Sequence, residues 1–346
     1  MTARRVTWLL IAGALVIAFA IWLSSLRHLE RATLAGDLVL PGLEHGVNTV
    51  TQVTLRRADD THATLSRQGP QWLVAERGWP ADRAKVRKLL LDLGALNVVE
   101  EKTRLPANYP QLGVEDVSSP KATGTQLEVL SPASKWALIV GKPSGAKSGF
   151  VRRADNAQSL LAAPLLSVDA DAKSWLERAL VDISPERVRE VEEHPAEGAA
   201  YTVSRAKAEQ SDFTVAPLPK GRELSSPGAA DAIAAALSSL NLEDVSKAQA
   251  PPAAMPARAV FRTFDGLEVT VSGRKDGARS LLSLAEQAAD TAGAADAQQL
   301  NARLAGWEFQ VPDYKYAAIF APLDELLKPL PEPARKPGKP VKAAKP

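Results

Sequence analysis

The sequence has no cysteine and only four histidines among its 346 residues. Without cysteine the chain forms no disulfide, offers no thiolate nucleophile and holds no thiolate-bound metal. The histidines never occur at the short spacings of metal ligands: they are His28, His45, His62 and His194. Glu192 and Glu193 precede His194, but adjacent side chains of a strand point to opposite faces, so we expect a solvated strand end there. The sequence therefore predicts no metal site.

Aromatic residues are scarce, at 5%, and a net positive charge is found only at the two ends of the chain. Residues 1–31 carry a net charge of +3 and residues 328–346 carry +5, which leaves the body at −6 within a formal total of +2. An acidic body offers no basic face to a phosphate backbone, so we expect no nucleic-acid partner. The tail at 328–346 is rich in Pro, Lys and Ala and is predicted to be disordered.

The chain has one long apolar run, at residues 6–26, with Arg5 before it and Arg27 after it. At a rise of about 1.5 Å per residue this run spans roughly 30 Å, the thickness of a bilayer's hydrocarbon core. A cleaved signal peptide is the alternative, because residues 18–20 fit a cleavage site. The apolar run continues past that site and exceeds the length of about 7–15 residues typical of a signal. The sequence therefore predicts an uncleaved anchor that contacts membrane lipid.

The short basic tail before this run predicts the orientation, since such tails usually stay in the cytoplasm. We expect a single-pass protein of the inner (cytoplasmic) membrane, with a cytoplasmic N-terminus and the bulk of the chain in the periplasm. The expected segments are a tail and anchor at 1–31, a spacer at 32–46, a first repeat at 47–180, a second repeat at 182–327 and the tail at 328–346.

The pattern after residue 47 predicts antiparallel strands packed on an amphipathic helix. Apolar residues alternate around Val53 and Leu55, as in a strand with one buried face. Asp82 is suited to cap a helix whose apolar positions recur with helical spacing: Val86, Leu89, Leu90, Leu93 and Leu96. Residues 125–130 and 135–140 predict a hairpin. Residues 157–180 predict a helix interrupted at Pro164.

Short elements of the first half recur in the second half. Val188 and Val191 lie 138 residues after Val50 and Val53, and Ser204-Arg205 lies 138 residues after Ser66-Arg67. Leu240-Asn241 lies 144 residues after Leu96-Asn97, a widening that small loop insertions would produce. The predicted fold class is α+β, with a transmembrane helix followed by two tandem repeats of one β-rich unit. In the second repeat we expect a helix at 230–240, a hairpin at 259–271, strands at 307–320 and a helical turn at 322–327.

The order of four motifs is typical of a known family. They are Trp72-Leu73-Val74, Trp79-Pro80-Ala81-Asp82, Leu138-Ile139-Val140-Gly141-Lys142 and Gly149-Phe150-Val151-Arg152. In this order the chain resembles the bacterial domain of unknown function 4340 family; residues 109–120 look like a longer, altered form of that family's Tyr-Gly-Leu-Asp-x-Pro turn. Such proteins typically occur beside components of ABC transporters like those of gliding-motility systems. The resemblance implies an auxiliary membrane-anchored subunit whose partners are the transporter's permease and associated membrane subunits.

The nearest approach to a catalytic motif is at residues 141–148, which match a phosphate-binding loop except at Ala146. Such a loop needs a following helix, whereas Gly149–Arg152 has the pattern of a strand, so we expect a hairpin loop. Residues 144–149 also match the Ser-x-x-Lys and Lys-Ser-Gly elements of penicillin-binding enzymes, but there the two elements lie far apart. Because no nucleophile, base and orienting group occur together, we expect a non-enzymatic protein without a cofactor.

Contacts at the surface are therefore the predicted mode of action. The candidate partner or ligand contacts are Trp79, Tyr109, Lys142 and Lys147. For Trp79 the usual role is a core position, because an aromatic residue just before a helix commonly fills the core; a platform for partner contact or sugar stacking is the alternative. The alternative function is an envelope-ligand binding module, which would hold a glycan or a lipid in a groove between the repeats.

Overall fold

The computed structural model describes residues 15–19, 36–249, 255–288 and 293–329, and the chain divides into unit 1 (residues 1–177) and unit 2 (residues 178–346). Residues 15–19 are helical and exposed. The rest of the predicted anchor at 6–26 lies outside the described residues, as does the tail after residue 329. In the described ranges no helix is both long enough and apolar enough to cross a membrane.

Unit 1 is built on a nine-stranded antiparallel sheet. Its strands are β1 (Gln52–Arg56), β2 (His62–Gln68), β3 (Gln71–Val74), β4 (Trp79–Pro80), β5 (Asn97–Glu101), β6 (Thr125–Leu130), β7 (Lys135–Ser144), β8 (Ser148–Arg153) and β9 (Ser159–Ala163). They lie in the order β4-β3-β2-β1-β6-β7-β8-β9-β5. Its helices are α1 (Leu43–Gly46), α2 (Arg83–Gly94) and α3 (Tyr109–Leu112), with short 3-10 turns between them.

The sequence pattern accounts for the centre of unit 1. Val53 and Leu55 of β1 are both 0% exposed, as expected for a strand with one buried face. Asp82 caps α2 by accepting a hydrogen bond from the Lys85 amide at 3.0 Å. The apolar positions of α2 are buried, and the predicted hairpin is present as β6 and β7. The mixture of sheet and helix confirms the α+β class.

Residues 36–46, predicted to belong to a spacer, are instead an integral part of unit 1. The Gly36 amide donates to the Val98 carbonyl at 2.9 Å, and the Val39 amide donates to the Leu96 carbonyl at 2.8 Å. Leu43 of α1 is 0% exposed. The turn at Pro41-Gly42 changes the direction of the chain without ending its packing, which is why the sequence pattern suggested a spacer.

The prediction of a helix over residues 157–180 is wrong. Residues 159–163 form β9, which pairs with β8 and β5, and only Ala172–Trp175 is helical, as one 3-10 turn. Asp171 caps that turn by accepting from the Lys173 amide. Leucines at 160, 161 and 165 mimic a helical spacing, but pairing with the preceding strand β8 and the distant strand β5 decides the structure.

Unit 2 is built on an eight-stranded antiparallel sheet and a separate two-stranded one. Its strands are β10 (Ala179–Val181), β11 (Val188–His194), β12 (Tyr201–Ser204), β13 (Thr214–Ala216), β14 (Leu240–Asn241), β15 (Asp244–Lys247), β16 (Ala257–Thr263), β17 (Leu267–Asp276), β18 (Arg279–Ala288) and β19 (Trp307–Val311). The larger sheet has the order β13-β12-β11-β16-β17-β18-β19-β15, and β10 pairs with β14. Its helices are α4 (Asp231–Ala234), α5 (Ala294–Leu304), α6 (Asp313–Ile319) and α7 (Leu323–Leu326).

Unit 2 differs from the sequence prediction at several elements, and β18 and α5 lie in a stretch for which the sequence predicted no element. The helix predicted at 230–240 is only the single turn α4, although Leu237 and Leu240 are still buried by the turns that follow. The strands predicted at 307–320 stop at Val311, and Pro312 starts the helix α6. The hairpin β16–β17 and the closing turn α7 are present as predicted.

Candidate functional site

A groove lined by three arginines and by no acidic residue lies between α2 and the β2–β3 hairpin of unit 1. Its volume is about 470 Å³. We call it the arginine groove; its lining residues are Val47, Asn48, Arg67, Pro70, Trp72, Arg83, Arg87, Leu90 and Leu91. A concave surface with charges of one sign is a candidate binding site for a group of the opposite sign.

The helix and the hairpin determine where each basic residue of the groove lies. Arg83 and Arg87 lie four residues apart on α2, so their side chains are neighbours on the exposed side of the helix. Arg67 lies near the end of β2, where Nη1 donates to the Asn48 carbonyl at 2.5 Å and Nε donates to the Gly69 carbonyl at 3.3 Å. These hydrogen bonds hold Arg67 without neutralising its charge.

The N-terminal half of α2 holds an unusual concentration of positive charge. Its first turns contain Arg83, Lys85, Arg87 and Lys88, and no acidic residue. The positive end of the helix dipole disfavours the cations of the first turn, Arg83 and Lys85, by about 0.3–1 kcal/mol each, and the effect falls off beyond that turn. Lys85 and Lys88 have partners: the Lys85 ammonium donates to the Ser174 carbonyl at 2.6 Å, and the Lys88 ammonium pairs with Asp92 at 2.5 Å.

Arg83 and Arg87 are both exposed, and neither has a hydrogen bond or ion pair with any residue of the described ranges. Leu91, one turn further along α2, keeps 51% of its surface exposed, and Trp72 is half-buried. A second groove of about 570 Å³ shares Arg83, Arg87 and Leu91 with the first, and its lining also includes the carboxylates of Asp82, Asp92 and Glu177. These three side chains therefore form a ridge that is accessible from both sides.

Two arginines of unit 2 show the contrasting case, in which carboxylates neutralise the guanidinium. The Arg262 guanidinium contacts Glu268 at 2.9 Å, Glu190 at 2.7 Å and Glu192 at 3.1 Å, which occupies all three of its nitrogens. Arg274 makes a bidentate pair with Glu308, with both distances at 2.9 Å. The contrast leaves the arginine groove as a place where guanidinium groups remain available.

Trp79, a predicted contact residue, lies in the core instead. Its side chain is 1% exposed, and its indole Nε1 donates to the Glu177 carbonyl at 2.9 Å. It forms a cross-strand pair with Val74 of β3. This is the core position that is usual for an aromatic residue just before a helix, and the alternative role as a contact platform is wrong. The buried ring has no exposed face to offer a partner.

Tyr109 is also buried, at 6% exposed, and it meets Lys142 at the helix α3. The Tyr109 hydroxyl donates to the Ala157 carbonyl at 2.6 Å, and the Lys142 ammonium donates to the Pro110 carbonyl at 3.0 Å. The Arg152 guanidinium lies 4.8 Å from the centre of the Tyr109 ring and pairs with Asp116 at 2.6 Å. These contacts fasten the loop around α3 to the sheet.

Lys147 lies exposed in the turn between β7 and β8. The residues that resemble a phosphate loop therefore form a hairpin, as predicted, with β8 where a phosphate loop would continue into a helix. Packing alone explains why position 141 is a glycine, because a Cβ atom there would collide with the backbone carbonyls of Leu112 and Gly113. Its small size permits the close approach of two backbones.

We expect Gly141→Ala to destabilise unit 1 by about 1–3 kcal/mol, because backbone rather than a mobile side chain occupies the space. Thermal denaturation of the full-length protein measures this change. Gly145→Ala in the β7–β8 turn is the control for backbone strain without a steric clash. The φ of Gly145 is +75°, but no atom lies within 4 Å of the added Cβ. If Gly145→Ala lowered the stability of unit 1 more than Gly141→Ala does, that result would contradict the packing explanation.

Unit 2 contains a buried carboxyl group without a partner. Glu193 of β11 is 0% exposed, and neither of its carboxyl oxygens has a hydrogen bond. Burial raises the pKa of Glu193 to about 9. Glu192, on the opposite face, pairs with His194 at 2.9 Å, as the predicted alternation of the strand requires. The sequence does contain a signal for this burial, since Glu193 lies two residues after the buried Val191.

The described ranges contain no group of three or more histidine, aspartate or glutamate residues arranged to hold a metal ion.

The model of the family described as "Domain of unknown function (DUF4340)" matches residues 72–258, more than half of the 346-residue chain. The chain belongs to this family. The match confirms the resemblance carried by the Trp-Leu-Val and Trp-Pro-Ala-Asp motifs. The matched segment of this DUF4340 protein includes Trp72, Arg83, Arg87 and Leu91, and Arg67 lies just before it. Comparisons of this DUF4340 protein with curated proteins and with solved structures give no match.

Proposed function

We propose that this protein is a non-enzymatic, membrane-anchored extracytoplasmic auxiliary subunit of an ABC-type transporter complex. It acts through protein–protein contacts with the permease and associated membrane subunits. The arginine groove is the observation that carries this proposal, because it exposes Arg83, Arg87, Trp72 and Leu91 together. Arginine and tryptophan contribute most strongly to binding free energy at protein interfaces.

The proposed location rests on the apolar run at residues 6–26 and the short basic tail before it. The N-terminus would lie in the cytoplasm, one helix would cross the inner membrane, and both units would lie in the periplasm. A short anchor packed against a permease would keep unit 1 close to its partner.

We also propose that units 1 and 2 are tandem copies of one ancestral unit. Two strand orders support this: β3-β2-β1-β6-β7-β8-β9-β5 in unit 1 corresponds, strand by strand, to β13-β12-β11-β16-β17-β18-β19-β15 in unit 2. Matching hydrogen bonds also support it. The Arg67 amide donates to the Thr51 carbonyl, and the Arg205 amide, 138 residues later, donates to the Arg189 carbonyl.

The edges of the sheets support the same duplication. Residues 36–39 pair with 96–98 in unit 1, and residues 178–181 pair with 240–242 in unit 2. Each copy thus begins with a short extended segment that covers the strand after its helix. The duplicated unit would therefore start near residues 36 and 178, earlier than the repeated sequence motifs suggested.

Binding of an envelope ligand, a glycan or a lipid, is the second candidate function. A groove of about 830 Å³ in unit 1 supports it, because its volume suits a small ligand. Amide and guanidinium groups of Asn156, Gln158 and Arg104 line this groove beside apolar side chains such as Leu38 and Val98. Such a mixture can bind the hydroxyl groups of a sugar.

A pulldown in mild detergent tests the transporter proposal. The full-length protein is compared with a variant in which residues 1–31 are replaced by an unrelated membrane anchor. We expect a specific ATPase and permease to be recovered with the native protein. Loss of recovery in the exchanged variant would place the contact on the anchor, and retention would place it on units 1 and 2. If neither protein recovers a membrane complex, the transporter proposal is wrong.

A further inference from the structure

We propose that the arginine groove binds an acidic peptide segment of a partner protein. An acidic side chain of the segment would lie among Arg67, Arg83 and Arg87, and an adjacent apolar side chain would lie against Trp72 and Leu91. This inference names the chemistry of the partner for the site described above, and so it rests on the proposed function.

The charge of the groove identifies the acidic part of the ligand. Three guanidinium groups line the groove without one carboxylate among its lining residues. Elsewhere the protein supplies that carboxylate itself, as Asp116 does for Arg152 and Glu308 does for Arg274. The planar guanidinium matches a carboxylate in a bidentate geometry. The groove therefore has the positive half of an ion-pair site.

The position of these charges strengthens this assignment. Arg83 begins α2, where the helix dipole disfavours a cation, and Arg87 adds a like charge four residues later. Neither side chain contributes a contact within the described ranges that would offset this cost. An incoming carboxylate would interact favourably with both guanidinium groups and with the positive end of the helix. The unfavourable arrangement in the free protein becomes favourable in a complex.

The apolar residues of the groove distinguish a peptide from the other acidic candidates. Trp72 is half-buried and Leu91 is 51% exposed, so one flat ring and one branched side chain lie beside the arginines. A peptide can place an acidic and an apolar side chain into one concave groove, whereas a membrane surface is broad and cannot enter it. A second copy that docked through the same groove would bring like-charged arginines together, and residues 328–346 are themselves basic.

Fluorescence anisotropy of full-length protein in detergent tests the inference. The probe is a short labelled peptide of alternating glutamate and leucine, and the matched probe has glutamine in place of glutamate. We expect the acidic peptide to bind at least about tenfold more tightly than the glutamine peptide, with an affinity that falls as salt is added. The double variant Arg83→Gln/Arg87→Gln should lose about tenfold or more of this affinity.

The control variant is Arg57→Gln, which removes the same charge from an exposed arginine after β1. It should change the affinity less than about twofold. The double variant should melt at the native temperature or slightly above it, since it removes cations from the N-terminal half of a helix. A loss of binding would then not reflect unfolding.

Two results of the binding experiments would overturn the inference. One is that the native protein and the double variant bind the acidic peptide equally well, which would place the peptide on the basic tail or elsewhere. The other is binding of phosphatidylglycerol vesicles, lost in the double variant, with no peptide binding, which would make a lipid the ligand. If the double variant still recovers the ATPase and permease, this inference fails while the proposed function stands. If the native protein recovers no complex but binds the peptide at the groove, the proposed function fails instead.

Discussion

Trp79→Ala is expected to lower the free energy of unfolding of unit 1 by about 3–5 kcal/mol, the usual range for removing a buried tryptophan. The side chain is 1% exposed, and the substitution would leave a cavity between β3 and the start of α2. It would also remove the donor for the Glu177 carbonyl, which the indole reaches at 2.9 Å. Thermal denaturation and limited proteolysis of the full-length protein measure the loss.

Trp72→Ala is the matched control, because this ring is only half-buried and lines the arginine groove. It should cost clearly less stability, about 1–2 kcal/mol, while it weakens peptide binding. A Trp79→Ala protein that melts like the native protein and loses only a binding partner would contradict the core assignment. It would restore Trp79 as a contact residue.

Glu193→Leu is expected to stabilise unit 2, by at least about 1–3 kcal/mol at pH 8, because it replaces a buried group with no hydrogen-bond partner by an apolar one. The gain should depend on pH. Burial raises the pKa of Glu193 to about 9, well above the value of 4.5 expected in the unfolded chain. The native protein therefore has its full stability contribution from this group below pH 4.5, and it loses that contribution as the pH rises toward 9.

Denaturation from pH 5 to pH 9 measures this difference. The advantage of Glu193→Leu should be smallest at pH 5 and should grow up to about pH 9, where it levels off. Glu192→Leu is the control on the same strand: it removes ion pairs with Arg262 and His194 on the opposite face and should not stabilise. A Glu193→Leu protein that is less stable than the native protein at every pH would show that the carboxyl group has a partner.

Local sequence patterns predicted the elements whose structure depends on nearby residues. The spacing from Val86 to Leu93 and the cap at Asp82 are sufficient for α2, and the alternation at Val53 and Leu55 is sufficient for β1. Residues 159–163 carry an equally local but misleading pattern. Their strand conformation depends on pairing with β8 and β5, which the order of residues along the chain does not show.

The candidate site could be predicted only in part for the same reason. Arg67 belongs to β2, whereas Arg83 and Arg87 belong to α2, so the arginine groove exists only when the helix packs beside the hairpin. The four cations between residues 83 and 88 did offer a local signal, since they occupy the start of a helix against its dipole. Trp79 was a candidate contact because it is aromatic, but its burial depends on contacts with distant residues such as Glu177.

Photo-crosslinking in cells tests most directly whether the protein acts through contacts at the arginine groove. Benzoylphenylalanine is introduced at position Leu91, on the exposed ridge of α2, or at position Lys147, in the exposed β7–β8 turn. If the protein acts through contacts at the arginine groove, position 91 crosslinks to a permease or an associated membrane subunit. The Arg83→Gln/Arg87→Gln changes should then abolish this crosslinked product. Crosslinking from position 147 alone, or from neither position, would contradict it.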